Sequence, residues 1–168
     1  IVALAAARER AAGASMYVTL EPCSHFGRTP PCSRAIIEAG VREVHIAMLD
    51  PNPIVRGKGR QQLEDAGIQT FLGEGAEEAA EINEAFTKHI TTGVPFVTAK
   101  WAMSLDGKIA TRSGDSKWIT GRIARAYAHY LRAINDAVIV GVGTVLTDDP
   151  ELTVRIPQEV VADSTPAR

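Results

Sequence analysis

Cysteine is scarce: the 168 residues hold two, at positions 23 and 32, too few for the disulfide framework of a small secreted domain. An excess of charge of one sign is also missing. With 18 Lys and Arg against 20 Asp and Glu, the formal net charge is −2, and there is no broad basic field for a nucleic-acid backbone. No apolar run approaches the roughly 20 residues that a membrane-spanning helix needs, and the opening stretch is not a basic-then-apolar leader. Cytoplasm is the expected compartment. What the chain does have is 45% hydrophobic content, enough to bury a core in one domain or two small ones.

Both thiols fall on one short stretch, Glu21-Pro22-Cys23-Ser24-His25-Phe26-Gly27-Arg28-Thr29-Pro30-Pro31-Cys32, directly after an apolar, strand-like run. Two sulfurs on a proline-punctuated bend suit a metal. A thiolate pair is half of a tetrahedral zinc site, and a catalytic zinc takes three protein ligands and keeps one position open for water. Pro22 and Pro31 each precede a cysteine, which suits thiols at the start of a helix, where proline is tolerated and the positive end favours a thiolate. On the residues alone, metal ligation and a Cys23–Cys32 bridge both stay open.

Around this bend, strand and helix patterns alternate. Residues 1–12 are alanine-rich and stop at Gly13, which reads as a helix with a glycine stop. Residues 16–20 are β-rich with little alternation, as in a buried parallel strand whose end delivers Glu21-Pro22-Cys23 to the place where open α/β sheets hold ligands. A helix is expected over 31–39 with Ile36 and Ile37 inward, then a strand over 44–49, a proline-held loop at 50–53, a helix over 58–66 and a strand over 68–72. From 75 to 92, Ala79, Ile82, Phe86 and Ile90 make one face of a single amphipathic helix. Glu77 and Glu78 at its start and Lys88 and His89 near its end suit the helix dipole. The fold class is α/β.

A boundary is expected at Thr91-Thr92-Gly93-Val94-Pro95, dividing the chain into domains over 1–92 and 93–168. Beyond it the pattern restarts with a strand over 96–103 and a turn at Asp106-Gly107. Thr120 is placed to cap a helix whose Ile123, Tyr127, Tyr130, Leu131 and Ile134 share one side. A buried strand over 137–140 leads into Gly141-Val142-Gly143-Thr144, half of a dinucleotide fingerprint and a weak signal by itself.

Pro-Cys followed by a second Cys, set between a strand and a helix, resembles the zinc-dependent nucleoside and nucleobase deaminases, whose motif pairs an upstream His-x-Glu with a downstream Pro-Cys-x-x-Cys. The wide gap from Cys23 to Cys32 is similar to one branch, the bifunctional riboflavin-biosynthesis deaminase/reductases. The order of Gly40-Val41, Asp50-Pro51-Asn52-Pro53, Gly57-Lys58-Gly59 and Ala66-Gly67-Ile68 follows the same family. Pro95, Lys100, Ser104-Leu105-Asp106-Gly107, Trp118-Ile119-Thr120, Leu131-Arg132 and Asp148-Asp149-Pro150 resemble the opening of that family's reductase domain.

This resemblance implies the C-terminal part of a cytidine-deaminase-like three-layer sheet, followed by the start of a dihydrofolate-reductase-like α/β domain. It places the family's His-Ala-Glu triplet, the third zinc ligand and the general acid/base, immediately before Ile1, so no catalytic residue is expected within the chain. A chain that opens in mid-helix and stops at Ser164-Thr165-Pro166-Ala167-Arg168 is expected to be an internal segment of a longer enzyme. A half-built second domain is expected to expose an unpaired sheet edge and to self-associate.

The implied function is riboflavin biosynthesis: zinc-dependent hydrolytic deamination of a diaminopyrimidinone ribosyl phosphate, then NADPH-dependent reduction of its ribose to ribityl, with this segment inactive alone. Zn2+ and NADPH are the implied cofactors. The partners are a small-molecule substrate and, at full length, further copies of the same chain, with neither nucleic acid nor membrane. By the same resemblance Cys23 and Cys32 hold the metal, Ala102, Trp118 and Thr144 contact the cofactor, and Ser116, Arg132, Asp148, Leu152 and Arg155 line the substrate.

The two arginines can fork onto a sugar phosphate, and Thr144 follows a glycine turn where backbone can approach a phosphate. Plainer readings stand beside these. Arg132 and Arg155 suit a solvated surface, Trp118 suits a core, and Asp50 and Asn52 either border a pocket or simply form a turn. His25 reads as a substitute ligand or a surface histidine, and Glu21 as a hydrogen-bonding group around the site. A zinc deaminase of another nucleoside or nucleic-acid base, and a degenerate non-catalytic module, are the competing functions.

Overall fold

Three β-rich runs make one parallel sheet in the order β1-β2-β3: β1 is Ser15–Leu20, β2 Glu43–Met48 and β3 Gln69–Leu72. The register pairs Val18 with Ile46 and Val44 with Thr70. Crossovers carry the helices, as parallel pairing requires: α2, Cys32–Glu38, between β1 and β2, and α3, Lys58–Asp65, between β2 and β3. The computed structural model describes residues 1–27 and 29–155. It divides the chain into two units, Ile1–Val97 and Thr98–Arg168. Arg28 of the thiol bend and residues 156–168 of the expected reductase portion lie outside the described residues.

The first unit's core is a single cluster of Ile36, Val41, Val44, Ile46, Leu63 and Ile68, against which Leu4, Met16, Val18 and Ile37 pack. Ile46, Leu63 and Val44 are fully buried, and each contributes roughly 1.5–3 kcal/mol of hydrophobic stabilisation. The opening helix is shorter than its alanine content suggests. α1 spans Val2–Ala7, and a 3-10 turn, Arg8–Ala11, leads to Gly13 at φ +72°.

Two expectations for this unit need correcting. β1 is parallel but not buried on both faces: Met16, Val18 and Leu20 are half-buried while Ser15, Tyr17 and Thr19 are exposed. On the open side Tyr17, His45 and Phe71 stack across the strands at centroid distances of 4.3 and 4.7 Å, in the cross-strand positions that let aromatic rings meet. The expected helix over 75–92 is two helices, α4, Ala76–Ile82, and α5, Glu84–Thr92. At the break the Asn83 amide nitrogen donates to the Ala79 carbonyl at 2.8 Å, sharing it with its own backbone N–H at 3.1 Å. Short polar side chains of this kind compete with the helix ladder. Ile82, 73% exposed, has no place in the core.

The second unit carries α6, Arg122–Ile134, and α7, Val142–Asp148, and no strand among its described residues. The strands expected over 96–103 and 137–140 are neither strand nor helix, and Ile139 is 92% exposed. Apolar β-formers make a strand only where another strand accepts their backbone groups, and none does so among the described residues. The unit therefore presents apolar side chains rather than an open sheet edge. Thr120 does not cap α6: Gly121 occupies the N-cap, and the Thr120 carbonyl instead accepts from Arg125 Nη1 at 2.6 Å. The Asp106-Gly107 turn forms, with Gly107 at φ +79° and the Ser104 N–H on the Lys108 carbonyl at 2.8 Å.

Candidate metal centre and ligand cavity

The thiol bend begins where β1 ends, and its first residue anchors it. Glu21 is 3% exposed, and its carboxylate accepts the backbone N–H groups of Asp50 at 3.1 Å, Gly57 at 2.8 Å and Arg60 at 3.0 Å. Two of these belong to the start of α3, whose first N–H groups have no partner within the helix. A carboxylate there also suits the helix dipole. Gly59, on the first turn of α3, comes so close that a Cβ would stand 1.8 Å from the Pro22 carbonyl oxygen. The backbone just before Cys23 is therefore pressed onto α3.

Cys32 is the first residue of α2, with Pro31 as N-cap. Its N–H donates to Cys23 Sγ at 3.2 Å, and the Ser33 N–H donates to the Cys23 carbonyl at 3.2 Å. The buried Ser33 hydroxyl lies 2.7 Å from Gln62 Oε1 and 3.0 Å from the Cys23 carbonyl, and Gln62 Nε2 donates to the Ser24 carbonyl at 3.3 Å. Both cysteines are free and half-buried. Burial pushes the Cys32 thiol above its ordinary range, and the adjacent Cys23 adds to this.

As donors, two soft thiols held on one bend fit two positions of a zinc ion. No cluster of three or more His, Cys, Asp and Glu forms among the described residues. His25 is exposed and does not complete one. Asp50 is buried, and its Oδ1 accepts the Asn52 N–H at 2.8 Å, while Asn52 Oδ1 accepts the Ile54 N–H at 3.0 Å. Both residues thus build the turn, and Asp50 also sits on the Glu21 carboxylate through its N–H.

The second unit holds a cavity of about 770 Å³. Ala102, Trp118 and Thr144 are in its wall, and so are Ser116, Arg132, Asp148, Leu152 and Arg155, so every residue the sequence assigned to cofactor or substrate lines one space. Trp118 is 72% exposed and is not a core residue. The Arg125 guanidinium lies over its ring, 4.4 Å from the centroid, within reach of a cation–π attraction. Arg132 Nη1 donates to the Thr153 carbonyl at 3.3 Å, the Arg155 N–H donates to His129 Nδ1 at 3.1 Å, and the Arg155 guanidinium pairs with Glu151. Flat faces and guanidinium groups in one cavity of this size suit a nicotinamide nucleotide and a phosphorylated ligand.

The sequence reading missed Arg125, His129, Gln62 and Gly59. For the first two a signal existed: 125, 129 and 132 share one face of a helix at spacings of four and three. Burial and the positive charges of Arg132 and Arg155 hold the His129 imidazole below its ordinary value. For Gln62 and Gly59 nothing in the local sequence points to the thiol bend.

Comparison with known proteins gives two family matches, the cytidine and deoxycytidylate deaminase zinc-binding region over residues 1–48 and the RibD C-terminal domain over residues 95–168. The riboflavin biosynthesis protein RibD of Aquifex aeolicus is 55% identical over 160 residues, 95% of this chain and 45% of the relative. That of Escherichia coli K12 is 50% identical over 153 residues, 91% of this chain and 42% of the relative. Among solved structures, Acinetobacter baumannii RibD in form 1 aligns with a TM-score of 0.85 at 51% identity, over 93% of this chain and 44% of that one. A Thermotoga maritima diaminohydroxyphosphoribosylaminopyrimidine deaminase/5-amino-6-(5-phosphoribosylamino)uracil reductase aligns with a TM-score of 0.84 at 45% identity, over 92% and 45%. The chain thus spans somewhat less than half the length of these relatives.

Proposed function

The chain belongs to the family of RibD riboflavin-biosynthesis proteins, and from that premise we propose that its residues serve two consecutive reactions on one pyrimidine ribosyl phosphate. The first is hydrolytic deamination of the diaminopyrimidinone ring, the second reduction of the ribose to a ribityl chain. The domains that carry them are read as 1–92 and 93–168.

The observation that carries the first reaction is the convergence of Cys23 and Cys32, with the Cys32 N–H on Cys23 Sγ at 3.2 Å. These two would hold zinc, which when bound lowers the pKa of water towards neutrality. Glu21, Ser33 and Gln62 fix the bend that presents the thiols. The family's His-Ala-Glu, read as preceding α1, would add a ligand and a proton shuttle. Two thiols alone leave the site open, and the 168 residues are read as inactive in deamination.

In the second reaction NADPH supplies the hydride, and the chain's residues bind and orient. Ala102, Trp118 and Thr144, which line the cavity, would hold the cofactor. Arg132 and Arg155 fork onto the phosphate, Ser116 and Asp148 hydrogen-bond the sugar, and Leu152 excludes water beside it. The ligands are small molecules rather than nucleic acid, since the charge of −2 provides no basic face. No helix among the described residues is long and apolar enough to cross a membrane. Cytoplasm and a homo-oligomer at full length complete the reading.

The test supplies the His-Ala-Glu segment of a relative in frame before Ile1 and follows ammonia release from the diaminopyrimidinone ribosyl phosphate. Zinc-dependent release that disappears on Cys23→Ser is the expected result. A folded, zinc-loaded chimera that releases no ammonia contradicts the proposal.

A further inference from the structure

The described residues of the segment that carries Arg155, 151–155, form no strand, and α6 holds them at two points. His129 Nδ1 accepts the Arg155 N–H at 3.1 Å, and Arg132 Nη1 donates to the Thr153 carbonyl at 3.3 Å. The two side chains are three residues apart on α6 and so share a face. α6 spans 13 residues. The Arg155 guanidinium is meanwhile paired with Glu151.

We propose that His129 is a positioning residue: it fixes the Arg155 backbone on α6, so that the Arg155 guanidinium meets a sugar phosphate in the cavity wall without first ordering its segment. This rests on the reading of the second unit as the reductase portion. The chemistry fits the role. An unprotonated Nδ1 can accept an N–H, and the proton then sits on Nε2. Burial and the flanking Arg132 and Arg155 guanidinium groups favour that neutral ring. Ordering a loop on binding costs affinity, and a segment already tied to a helix avoids most of that cost.

The experiment titrates ribose 5-phosphate, ribose and NADPH into the whole chain and into His129→Ala, His129→Asn, Arg155→Ala and the His129→Ala/Arg155→Ala double variant. Asn keeps a carbonyl oxygen near the position of Nδ1. Expected is an about tenfold weaker ribose 5-phosphate affinity in His129→Ala, close to 1.4 kcal/mol, with NADPH affinity unchanged and most of the loss recovered by Asn. In the Arg155→Ala background the His129 substitution is expected to add nothing.

Unchanged ribose 5-phosphate binding in His129→Ala overturns the proposal. So does an equal loss in the Arg155→Ala background, which would make the effect independent of Arg155. Wild-type protein that binds neither NADPH nor ribose 5-phosphate overturns the reductase reading, and the proposal with it. A readout in the unaltered chain stands apart from variant folding: the imidazole 15N shifts should report the Nε2–H tautomer with a hydrogen-bonded Nδ1, and an Nδ1–H tautomer overturns the proposal.

Discussion

Gly59 lies against the carbonyl of Pro22, where a Cβ would stand 1.8 Å from the oxygen. Because the atom in the way is backbone, neither side can give without moving the strand end that carries Cys23. Gly59→Ala should therefore destabilise the first unit by about 1–3 kcal/mol, against the roughly 1 kcal/mol gain that the same exchange gives in an unhindered helix. Gly143 in α7 has nothing within 4 Å of its Cβ position and should show that gain instead. Urea denaturation of both variants checks the contrast, and a Gly59→Ala midpoint at or above wild type contradicts it.

Glu21 ties the strand end to the loop before α3 and to the helix itself through three backbone donors. Glu21→Gln keeps the shape but turns one acceptor into a donor that faces N–H groups. Hydrogen bonds to charged groups are worth about 1.5–3 kcal/mol, so a loss of about 2 kcal/mol is expected in chemical denaturation. Wild-type stability in Glu21→Gln would mean that the carboxylate does not organise the bend.

The His129 imidazole is held below its ordinary value near 6.5 by burial, then by Arg132 on α6 and Arg155 on the facing segment. Glu151, on that same segment, is occupied by Arg155. Between the lowered folded value and the ordinary unfolded one, the unfolded chain binds more protons, so stability rises with pH across that window. The contribution is fully present above about 6.5 and is lost as pH falls through the folded value. Denaturation at stepped pH should show this loss in wild type and a smaller one in His129→Asn. A His129 NMR titration midpoint above 6.5 contradicts the sign.

The second unit exposes Leu105, Ile139, Leu146 and Trp101, and Ala126 is its buried apolar residue among those described. Exposed apolar side chains in this number promote association. Sedimentation velocity of the 168-residue chain at tens of micromolar should show oligomers that weaken on dilution. A single sharp monomer boundary speaks against it.

The elements of the first unit were legible because each has its own period and pairs or packs with its neighbours in sequence: β1, α2, β2, α3 and β3 appear where the apolar residues and glycine stops put them. The helix break at Asn83 was not, since neither proline nor glycine marks it and the competition for the Ala79 carbonyl shows only in three dimensions. Residues 137–140 have the composition of a strand, yet a strand exists only with a partner. The thiol pair could be read because both sulfurs lie on one bend. The supports of that bend, Gly57, Gly59 and Gln62, are separated from it by an entire crossover, and local pattern says nothing about them. In the second unit, the face shared by Arg125, His129 and Arg132 was present in the spacing, but only the geometry ties it to Arg155.

The convergence of Cys23 and Cys32 on one divalent ion is tested most directly by titrating Co2+ into the reduced chain and recording the sulfur-to-cobalt charge-transfer band. Weak, saturable binding is expected, with the intensity of two thiolate ligands, displacement by Zn2+, and about half the band left in either Cys23→Ser or Cys32→Ser. No band in wild type, or a band that survives both substitutions together, contradicts the assignment.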